Sequence, residues 1–295
     1  MYICNYILKS ILSMILLLSF AKNAFSQEKI DDIEVIGISP LPGIEIDRNK
    51  IPNASQSLRE IDLDSSTGTT IVDLLGEKLT GVTIKDVQNS PFQKNIDYRG
   101  FTAAPLLGES QGLAVYLNGT RINEGFGDTL QWELVPEAAL TDIDLMSSNP
   151  VFGLNALGGS LALTTKKGLD FLNTDSSVEN HFEFGGADWV NGNIELGAGD
   201  ESQGLYVAME NSYDGGWRDN SAGDVKRLFI NYGKIFENSD FDFTFMNADS
   251  NLNGNGVSPT ELLKVRRESV FTWPDFTSNK VYLAASNANF YLEDD

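Results

Sequence analysis

The stretch from residue 115 to residue 167 constrains the fold of this chain most. It opens with an alternating strand pattern that Asn118-Gly119 closes, and this pair is a strong signal for a tight β-hairpin. A helical turn that starts at a proline follows, and then strand patterns over residues 143–146 and 161–165 flank a glycine-rich loop. Short strands joined by tight turns and a helical turn predict the closing half of a small mixed α+β domain.

Residues 33–114 supply the first half of that domain. Thr69 or Thr70 predicts the N-cap of a helix with apolar residues at positions 71, 72, 74, 75 and 79, and Gly81 follows its end. Strand patterns come next, over residues 82–87 and 92–101. The mixed domain is therefore predicted to extend from residue 33 to residue 167.

The first 26 residues predict a cleaved export signal. Lys9 precedes an apolar run of about 11 residues, which is shorter than the roughly 20 that a helix needs to span a bilayer. Small residues at Ala24 and Ser26 predict cleavage before Gln27. The only cysteine, Cys4, lies inside this signal, so the mature chain is predicted to have no disulfide.

The chain is strongly acidic, with 21 basic and 42 acidic residues and a formal net charge of −21 at pH 7. A protein that binds nucleic acid needs a basic face to meet the phosphates, so no nucleic-acid partner is expected. The acids are dispersed rather than blocked, which is typical of solvated loops and strand faces. Apart from the short apolar run of the export signal, the sequence has no apolar segment long enough for a membrane-spanning helix, so membrane insertion would require β-structure.

Six further strand patterns fill the chain after residue 168, where proline becomes scarce. They cover residues 181–185, 192–198, 205–210, 226–236, 240–246 and 281–292. In the fifth, Phe241, Phe243 and Phe245 alternate with polar residues and therefore share one face. Strands of a transmembrane barrel run about 9–11 residues, apolar toward lipid and polar toward the lumen. A soluble β-sandwich gives a similar pattern, but the export signal and the preceding domain favour the barrel.

The block from residue 115 to residue 167 resembles the end of the plug domain in TonB-dependent outer-membrane receptors. Two short motifs also resemble that plug, namely Arg99-Gly100-Phe101 and the glycine-rich run with Gly153, Gly158 and Gly159. The resemblance extends upstream to about residue 33 and downstream to the end of the chain. It implies an α+β plug domain followed by antiparallel β-strands of an incomplete transmembrane β-barrel, located in the outer membrane.

The resemblance also implies a function. Receptors of this family import a scarce extracellular ligand, most often a ferric siderophore, when the energised TonB protein pulls on a short N-terminal segment called the TonB box. The expected partners are TonB, outer-membrane lipid and such a ligand. No enzymatic activity, cofactor or metal site is expected. The sequence does not identify the ligand, because specificity lies largely in extracellular loops.

The TonB box is expected at Ile33, Glu34, Val35 and Ile36, which place a hydrophobic-x-hydrophobic core near the mature N-terminus. A segment of this kind binds by adding a strand to an exposed sheet edge, so its main-chain hydrogen bonds matter more than its side chains. The same residues also fit the first strand of the plug, because short alternating runs are ambiguous.

Four segments are expected along the chain. They are the signal peptide (residues 1–26), a flexible segment with the TonB box (27–43), the plug domain (44–167, with residue 33 as an alternative start) and a barrel portion (168–295). The last segment is long enough for about six strands, whereas plugged transporter barrels have about 22. An open sheet leaves backbone groups unsatisfied in lipid. The chain is therefore expected to be the N-terminal portion of a longer receptor.

Charged residues could hold the plug against the barrel, since a buried charge needs a partner. After the strand at residues 143–146, the family often has R-G-P, but this chain has Ser-Asn-Pro at 148–150, so one anchoring charge is missing. Plain surface ion pairs are an equally good interpretation of the remaining charges. The candidate ion pairs are those of Arg99 or Arg121 with Glu124, Glu133 or Glu137.

Three other functions stay open. Residues 108–112 have the G-x-S-x-G spacing of a serine hydrolase around Ser110, with His181 as the only histidine. That motif needs a helix after the serine, and here a strand pattern follows, so a secreted serine hydrolase is the weakest alternative. An exported soluble plug-like binding module and an exported β-rich adhesin are the others. A calcium loop from Asp249 would need a glutamate at its twelfth position, which is Thr260.

Overall fold

The fold is described from a computed structural model of the 295-residue chain. The structure describes residues 35–37, 45–47, 55–64, 70–147, 153, 155–186, 188–273 and 275–291. The predicted signal peptide, Ile33, Glu34 and the Ser-Asn-Pro run at 148–150 lie outside the described residues.

The elements follow in chain order. The strands before residue 168 are β1 (Val35–Gly37), β2 (Glu45–Asp47), β3 (Ser55–Leu58), β4 (Val82–Asp86), β5 (Lys94–Tyr98), β6 (Phe101–Ala103), β7 (Leu113–Leu117), β8 (Thr120–Arg121), β9 (Leu140–Ser147) and β10 (Gly159–Thr165). The later strands are β11 (Thr174–Phe184), β12 (Val190–Gly199), β13 (Gln203–Asp214), β14 (Gly223–Phe236), β15 (Ser239–Gly254) and β16 (Asp275–Phe290). The helices are α1 (Glu60–Asp64), α2 (Ile71–Lys78) and α3 (Thr260–Val265), with 3-10 turns at Trp132–Leu134, Glu137–Ala139 and Gly168–Phe171.

Residues 55–165 form the predicted α+β domain around two sheets. The larger sheet has the strand order β3-β9-β10-β7-β8, and the smaller has the order β4-β5-β6. Strand β10 lies between β9, its antiparallel neighbour, and β7, its parallel neighbour. The hairpin predicted at Asn118-Gly119 joins β7 to β8. The mixed fold class predicted for this half of the chain is confirmed.

Helix α2 begins where the sequence predicts. Its N-cap is Thr70, and Thr70 forms a capping box with Asp73, in which each side chain accepts a hydrogen bond from the backbone N–H of the other residue. Its apolar face, which includes Leu74 and Leu75, is buried against the sheets. The helix lies close to β4, because a Cβ on Gly76 would be only 2.4 Å from Cγ1 of Ile84.

The strand predicted over residues 92–101 is in fact two strands, β5 and β6, so that prediction is wrong in its extent. Arg99 and Gly100 turn the chain between them, with φ values of 54° and 88°. The carboxylate of Asp97 accepts a 2.9 Å hydrogen bond from the N–H of Gly100 and stabilises the turn. The period-two pattern carries across the turn and hides it.

Strands β1 and β2 form a separate two-stranded antiparallel sheet, in which Val35 pairs with Asp47 and Gly37 with Glu45. Neither strand belongs to the two sheets of the α+β domain. Among the described residues of the predicted TonB box, Val35 and Ile36 are therefore extended but are not strands of the main plug sheets.

Strands β11 to β16 form one antiparallel sheet in sequential order, as the six strand patterns predict. Several strands are longer than their patterns. Strand β15, for example, continues through Asp249 and Asn251 to Gly254, because polar side chains do not interrupt the backbone pairing with β14 and β16. Two connections at one end of the sheet are short (200–202 and 237–238), and the connections at the other end include the long segments 215–222 and 255–274.

The side chains of β15 alternate as predicted. Met246, Ala248 and Ser250 are buried toward the plug, whereas Phe243 on the opposite face is 37% exposed. The apolar core is continuous between the two halves, because Tyr206 and Phe229 of the strands belong to the same buried cluster as Trp132 of the plug. None of the helices that the structure describes is both long enough and apolar enough to cross a bilayer.

Candidate functional site

The interface between the plug and the inner face of the β11–β16 sheet carries most of the buried polar groups that link the two halves. It has three parts, which we call the linker anchor, the arginine cluster and the glutamate site. Each part is built by side chains from different strands that face the same side of the sheet, since inward positions on neighbouring strands align at a period of two.

The linker anchor holds the chain where the plug ends. The 3-10 turn that starts at Gly168 lies directly on the inner face of the β11–β16 sheet, which we call the wall. A Cβ on Gly168 would be 2.2 Å from the carbonyl oxygen of Gly204. The N–H of Gly168 donates a 2.7 Å hydrogen bond to Oδ1 of Asn231, a fully buried residue. The amide group of Asn231 in turn donates to Asp242 at 2.9 Å and to Thr244 at 3.0 Å. The backbone can approach this closely because neither glycine has a side chain.

Lys166 extends the linker anchor with charge. Its ammonium group lies 2.7 Å from the carboxylate of Glu195 on β12 and 3.6 Å from those of Glu60 and Glu179. Glu195 also accepts a 2.6 Å hydrogen bond from the hydroxyl of Tyr206. Burial acts to lower the pKa of Lys166, but the hydrogen bond and charge of Glu195, with the other carboxylates, outweigh it and raise this pKa.

The arginine cluster is centred on Arg227 of β14, which is only 6% exposed. Its Nη1 lies 2.9 Å from the carboxylate of Glu210 on β13, and its Nη2 lies 3.1 Å from that of Glu137 on the plug. Its Nε donates a 2.7 Å hydrogen bond to the backbone carbonyl of Glu133 on the plug. All three nitrogens of the guanidinium therefore have partners, and two of the three partners belong to the plug.

The glutamate site lies beside that cluster. The side chain of Glu133 is 2% exposed, and its Oε1 accepts hydrogen bonds from Asn279 at 2.9 Å and Ser250 at 3.3 Å. Its Oε2 has no hydrogen-bond partner. Burial raises the pKa of Glu133, although the hydrogen bonds and the nearby charge of Arg227 act in the opposite direction.

The sequence predicts that Arg99 or Arg121 pairs with a glutamate at this boundary, and this prediction is wrong in its choice of arginine. Glu137 does lie at the boundary, but its partner is Arg227. Arg121 pairs within the plug, 2.5 Å from Asp128, and Arg99 stacks on the ring of Tyr98 with 4.9 Å between its Cζ and the ring centroid. The sequence gives one signal for Arg227, since it shares a face with Phe229 and Asn231 within the predicted strand 226–236, but nothing shows that this face meets the plug.

Some of the predicted plug-motif residues lie together. The ring and Cβ of Phe101 cover two glycines, because a Cβ on Gly158 would be 2.4 Å from the Cβ of Phe101 and one on Gly112 would be 2.5 Å from its Cδ1. Gly159 packs against the backbone of Met146, since a Cβ on Gly159 would be 2.5 Å from the carbonyl oxygen of Met146. Gly153 is separate from this group and has a φ of 80°. These residues pack the plug rather than forming a polar site.

A cavity of about 280 Å³ lies at the end of the sheet that has the long connections. Its lining joins plug residues such as Lys94 to Trp217 and Arg218 of the 215–222 connection. The ring of Trp217 is close to two guanidinium groups, with its centroid 5.6 Å from Cζ of Arg218 and 5.1 Å from Cζ of Arg267. The cavity therefore has cationic and aromatic groups that could contact a small molecule.

Loops of the plug that are linked to this end of the sheet expose apolar side chains, since Gln131 donates a hydrogen bond to Pro105 and accepts one from Asn279, which lies near the start of β16. Leu107 is 60% exposed and Phe126 is 79% exposed, and the two loops touch, since a Cβ on Gly127 would meet the side chain of Leu107. Exposed apolar groups on an otherwise packed domain often mark a ligand or partner surface.

The other candidate motifs do not form the sites that their spacing suggests. Ser110 lies in a loop that leads into strand β7, so the strand–serine–helix turn of a hydrolase is absent there. Asp249 belongs to strand β15 and not to a calcium loop. Within the part of the chain that the structure describes, no group of three or more potential metal ligands comes together.

The comparison with known families and structures points in one direction. Residues 47–160 match the family model described as the TonB-dependent Receptor Plug Domain. No curated protein matches the chain.

Several solved structures share the fold of the chain, although their sequences differ. The unliganded ferric citrate transporter FecA matches with a TM-score of 0.64 and 15% identity, over 82% of this chain and 38% of that one. The ferric yersiniabactin uptake receptor FyuA from Yersinia pestis matches with a TM-score of 0.63 and 15% identity, over 82% and 39%. FpvA of P. aeruginosa, bound to a heterologous pyoverdine, matches with a TM-score of 0.65 and 11% identity, over 86% and 35%. The chain thus spans well under half the length of each of these structures.

Proposed function

Because residues 47–160 match the plug domain of TonB-dependent receptors and the later strands share the fold of solved receptors of that kind, we propose that the chain is part of such a receptor, which imports a scarce extracellular ligand across the outer membrane with energy from TonB. The observation that carries the proposal is a plug domain seated on the polar inner face of antiparallel strands. In a closed barrel, a plug in that position would fill the lumen, as it does in the large barrels of outer-membrane transporters.

The orientation of the proposed receptor follows from its connections. Outer-membrane barrels have short periplasmic turns and longer extracellular loops. The turns at 200–202 and 237–238 would therefore be periplasmic, and the 215–222 and 255–274 connections would be extracellular. This places the cavity at Trp217 and the exposed side chains of Leu107 and Phe126 on the extracellular side, where a ligand arrives.

A ferric siderophore is the proposed ligand class. The support is that the matched structures include a ferric citrate transporter and a ferric yersiniabactin receptor. Many such chelates are anionic and carry flat or apolar parts, which suit the ring of Trp217 and the guanidinium groups of Arg218 and Arg267 close to it. The proposed coupling segment remains Ile33 to Ile36, ahead of or within β1, with TonB and outer-membrane lipid as partners of the receptor and the predicted signal peptide as the route of export.

The test is uptake of radioactive iron by the complete receptor in a bacterial host that lacks its own siderophore receptors. The probes are ferric citrate, ferric yersiniabactin and ferric pyoverdine, each given to hosts with and without TonB. Uptake of at least one chelate only when both receptor and TonB are present is the expected result. Binding without uptake would instead indicate the plug-like binding module, and uptake that persists without TonB would contradict the coupling.

The coupling segment has a sharper test. Val35→Pro should abolish energised uptake, because proline removes a backbone donor and fixes φ, whereas Val35→Ala should be mild because it leaves the backbone intact. Neither change should weaken ligand binding, which would take place at the other end of the plug. Unchanged uptake by Val35→Pro would mean that these residues are an ordinary strand or linker.

A further inference from the structure

The carboxylate of Glu137 ties the plug helix α2 to the barrel wall. Its Oε1 lies 3.1 Å from Nη2 of Arg227 on β14, and its Oε2 accepts a 3.2 Å hydrogen bond from the N–H of Ile71. Ile71 is the first residue of α2, where backbone N–H groups lack partners within the helix and the helix dipole favours a negative charge. One side chain therefore serves both as a cap for a plug helix and as one of the contacts between the plug and the wall.

Arg227 supplies the positive charge that makes this contact electrostatically favourable. Glu137 on the plug and Glu210 on the wall bind the same guanidinium from two sides, at 3.1 and 2.9 Å. Without the guanidinium, the buried carboxylate of Glu210 and the partly exposed carboxylate of Glu137 would face each other across the interface. Removing one partner of a buried ion pair leaves an uncompensated charge, which is far more costly than replacing all partners by neutral groups.

The segment that Arg227 holds is also connected to the ligand end of the plug. The side chain of Gln131 donates a 3.1 Å hydrogen bond to the carbonyl of Pro105, in the loop that exposes Leu107. Nε of Arg227 binds the carbonyl of Glu133 two residues later along the same segment. Residues 131–139 thus lie between a loop at the proposed extracellular end and the N-terminus of α2.

We propose that Arg227 is a latch that holds the 131–139 segment and helix α2 on the barrel wall, and that its bond to Glu137 opens each time the plug moves to let a ligand pass. The inference rests on the proposed import function. It assigns Arg227 a role in positioning the plug and no direct contact with the ligand. The linker anchor at Gly168 and Lys166 belongs to the segment that continues into β11, so it does not have to open when α2 leaves the wall.

The first experiment measures leakage through the complete receptor without TonB. Arg227→Met should cause a several-fold rise in the entry of a large antibiotic that the outer membrane normally excludes, because Glu137 and Glu210 are left to repel each other. The triple variant Arg227→Met, Glu137→Gln and Glu210→Gln should return leakage toward the wild-type level, since neither of the carboxylates that bound the guanidinium remains. Arg121→Met is the matched control, because its ion pair with Asp128 lies within the plug, and it should not leak.

The rescue distinguishes a latch from general structural damage. A misfolded receptor would be lost from the membrane and would not regain a closed state when two further residues are changed. If Arg227→Met reaches the membrane in normal amounts and does not leak, or if the triple variant leaks as much as the single one, the latch is refuted. Because this readout needs neither TonB nor a known ligand, it stands even if no iron chelate is transported.

The second experiment asks whether the latch opens during import. Cys4, in the predicted signal peptide, is the only cysteine among these 295 residues, so introduced cysteines can be labelled alone once any cysteine in the rest of the complete receptor has been replaced by serine. In an Arg227→Cys, Glu137→Cys receptor, a short thiol-cleavable crosslinker should abolish uptake of the transported chelate without changing its binding, and cleavage should restore uptake. The control pair is Lys280→Cys with Asp249→Cys. These two residues are paired on neighbouring strands of the β11–β16 sheet, with 2.6 Å between their charged groups, so their crosslink should leave uptake intact. Full uptake by the crosslinked 137–227 receptor would show that the latch stays closed.

Discussion

Phe243 offers a quantitative test of which face of the sheet meets lipid. It lies on the outer face of β15, flanked by Tyr232 of β14 and Ser286 of β16, while Asp242 and Thr244 on either side of it are buried toward the plug. Replacing Phe243 by arginine would place a charge on the proposed lipid face without touching the plug interface.

The expected cost follows from the depth of this position. Phe243 is four residues along the strand from Ser239, where β15 begins beside the short 237–238 turn. At about 3.3 Å per residue and a tilt of about 45°, these four residues rise roughly 9 Å from the turn, which is well inside an apolar band about 25 Å tall. A charge at such a depth should cost about 2–4 kcal/mol of folding free energy.

The measurement is a denaturant titration of the complete receptor in lipid vesicles, which gives its free energy of reversible unfolding. Phe236→Arg is the matched control, because Phe236 is the last residue of β14, next to the same turn, and is 50% exposed. Near the interface the same substitution should cost only about 0–1 kcal/mol. Equal costs at the two positions would refute the assigned depth. Spin labels at 241 and 243 that report water rather than lipid would refute the face itself.

Four other predictions concern the plug and the N-terminus. Thr70→Ala should destabilise the plug by about 1 kcal/mol because it removes half of the capping box of α2, whereas Thr80→Ala, at an exposed position, should stay within about 0.5 kcal/mol in the same chemical denaturation. Burial raises the pKa of Asp144 despite its hydrogen bond from Ser57 and the charge of Arg59, so its contribution to stability is complete below the unfolded pKa of about 3.9 and is lost as pH rises through the folded pKa. Wild type should therefore lose stability relative to Asp144→Asn as the pH rises above about 4, and a constant difference would contradict this. Residues 33–167 expressed alone should be soluble and should unfold in one cooperative thermal transition, and recovery only in detergent would be the contrary result. Mass spectrometry of envelope fractions should find Gln27 at the mature N-terminus, whereas a chain that retains Met1 would carry an anchor instead.

The elements of the fold that the sequence predicts best are those with a local cause. The cap at Thr70, the hairpin at Asn118-Gly119 and the alternation of Phe241, Phe243 and Phe245 each depend on residues that are neighbours in the chain, and the structure confirms all three. The turn at Arg99 and Gly100 is missed although its cause is also local. Its Asp-x-x-Gly chemistry sits inside a run that keeps a period of two, and the period dominates the interpretation.

The polar contacts of the interface are harder to predict, because they join residues far apart in sequence. Arg227 and Glu137 are separated by 90 positions, and Glu133 and Asn279 by 146. The sequence shows that the glutamates need partners if buried, but the choice between Arg121 and Arg227 depends on which strand faces the 131–139 segment. The length of β15 also depends on residues that are distant in sequence. Asp249 and Asn251 are typical loop residues, and only the pairing of β15 with β14 and β16 shows that the strand continues through them.

The chemistry of the interface is consistent with a plug that has to move. Apolar burial is proportional to area and opposes any separation that exposes it to water. A hydrogen bond contributes only about 0.5–1.5 kcal/mol net, because water can replace either partner once the groups are wet. Arg227, Asn231 and Glu133 place directional, hydratable contacts between the plug and the wall, beside the apolar cluster that Trp132 of the plug shares with Tyr206 and Phe229 of the strands. Release of the 131–139 segment therefore costs the exposure of that apolar cluster as well as the unpaired charges of Glu137 and Glu210. Among the polar contacts, the guanidinium that compensates those two charges is the one on which plug release should depend most.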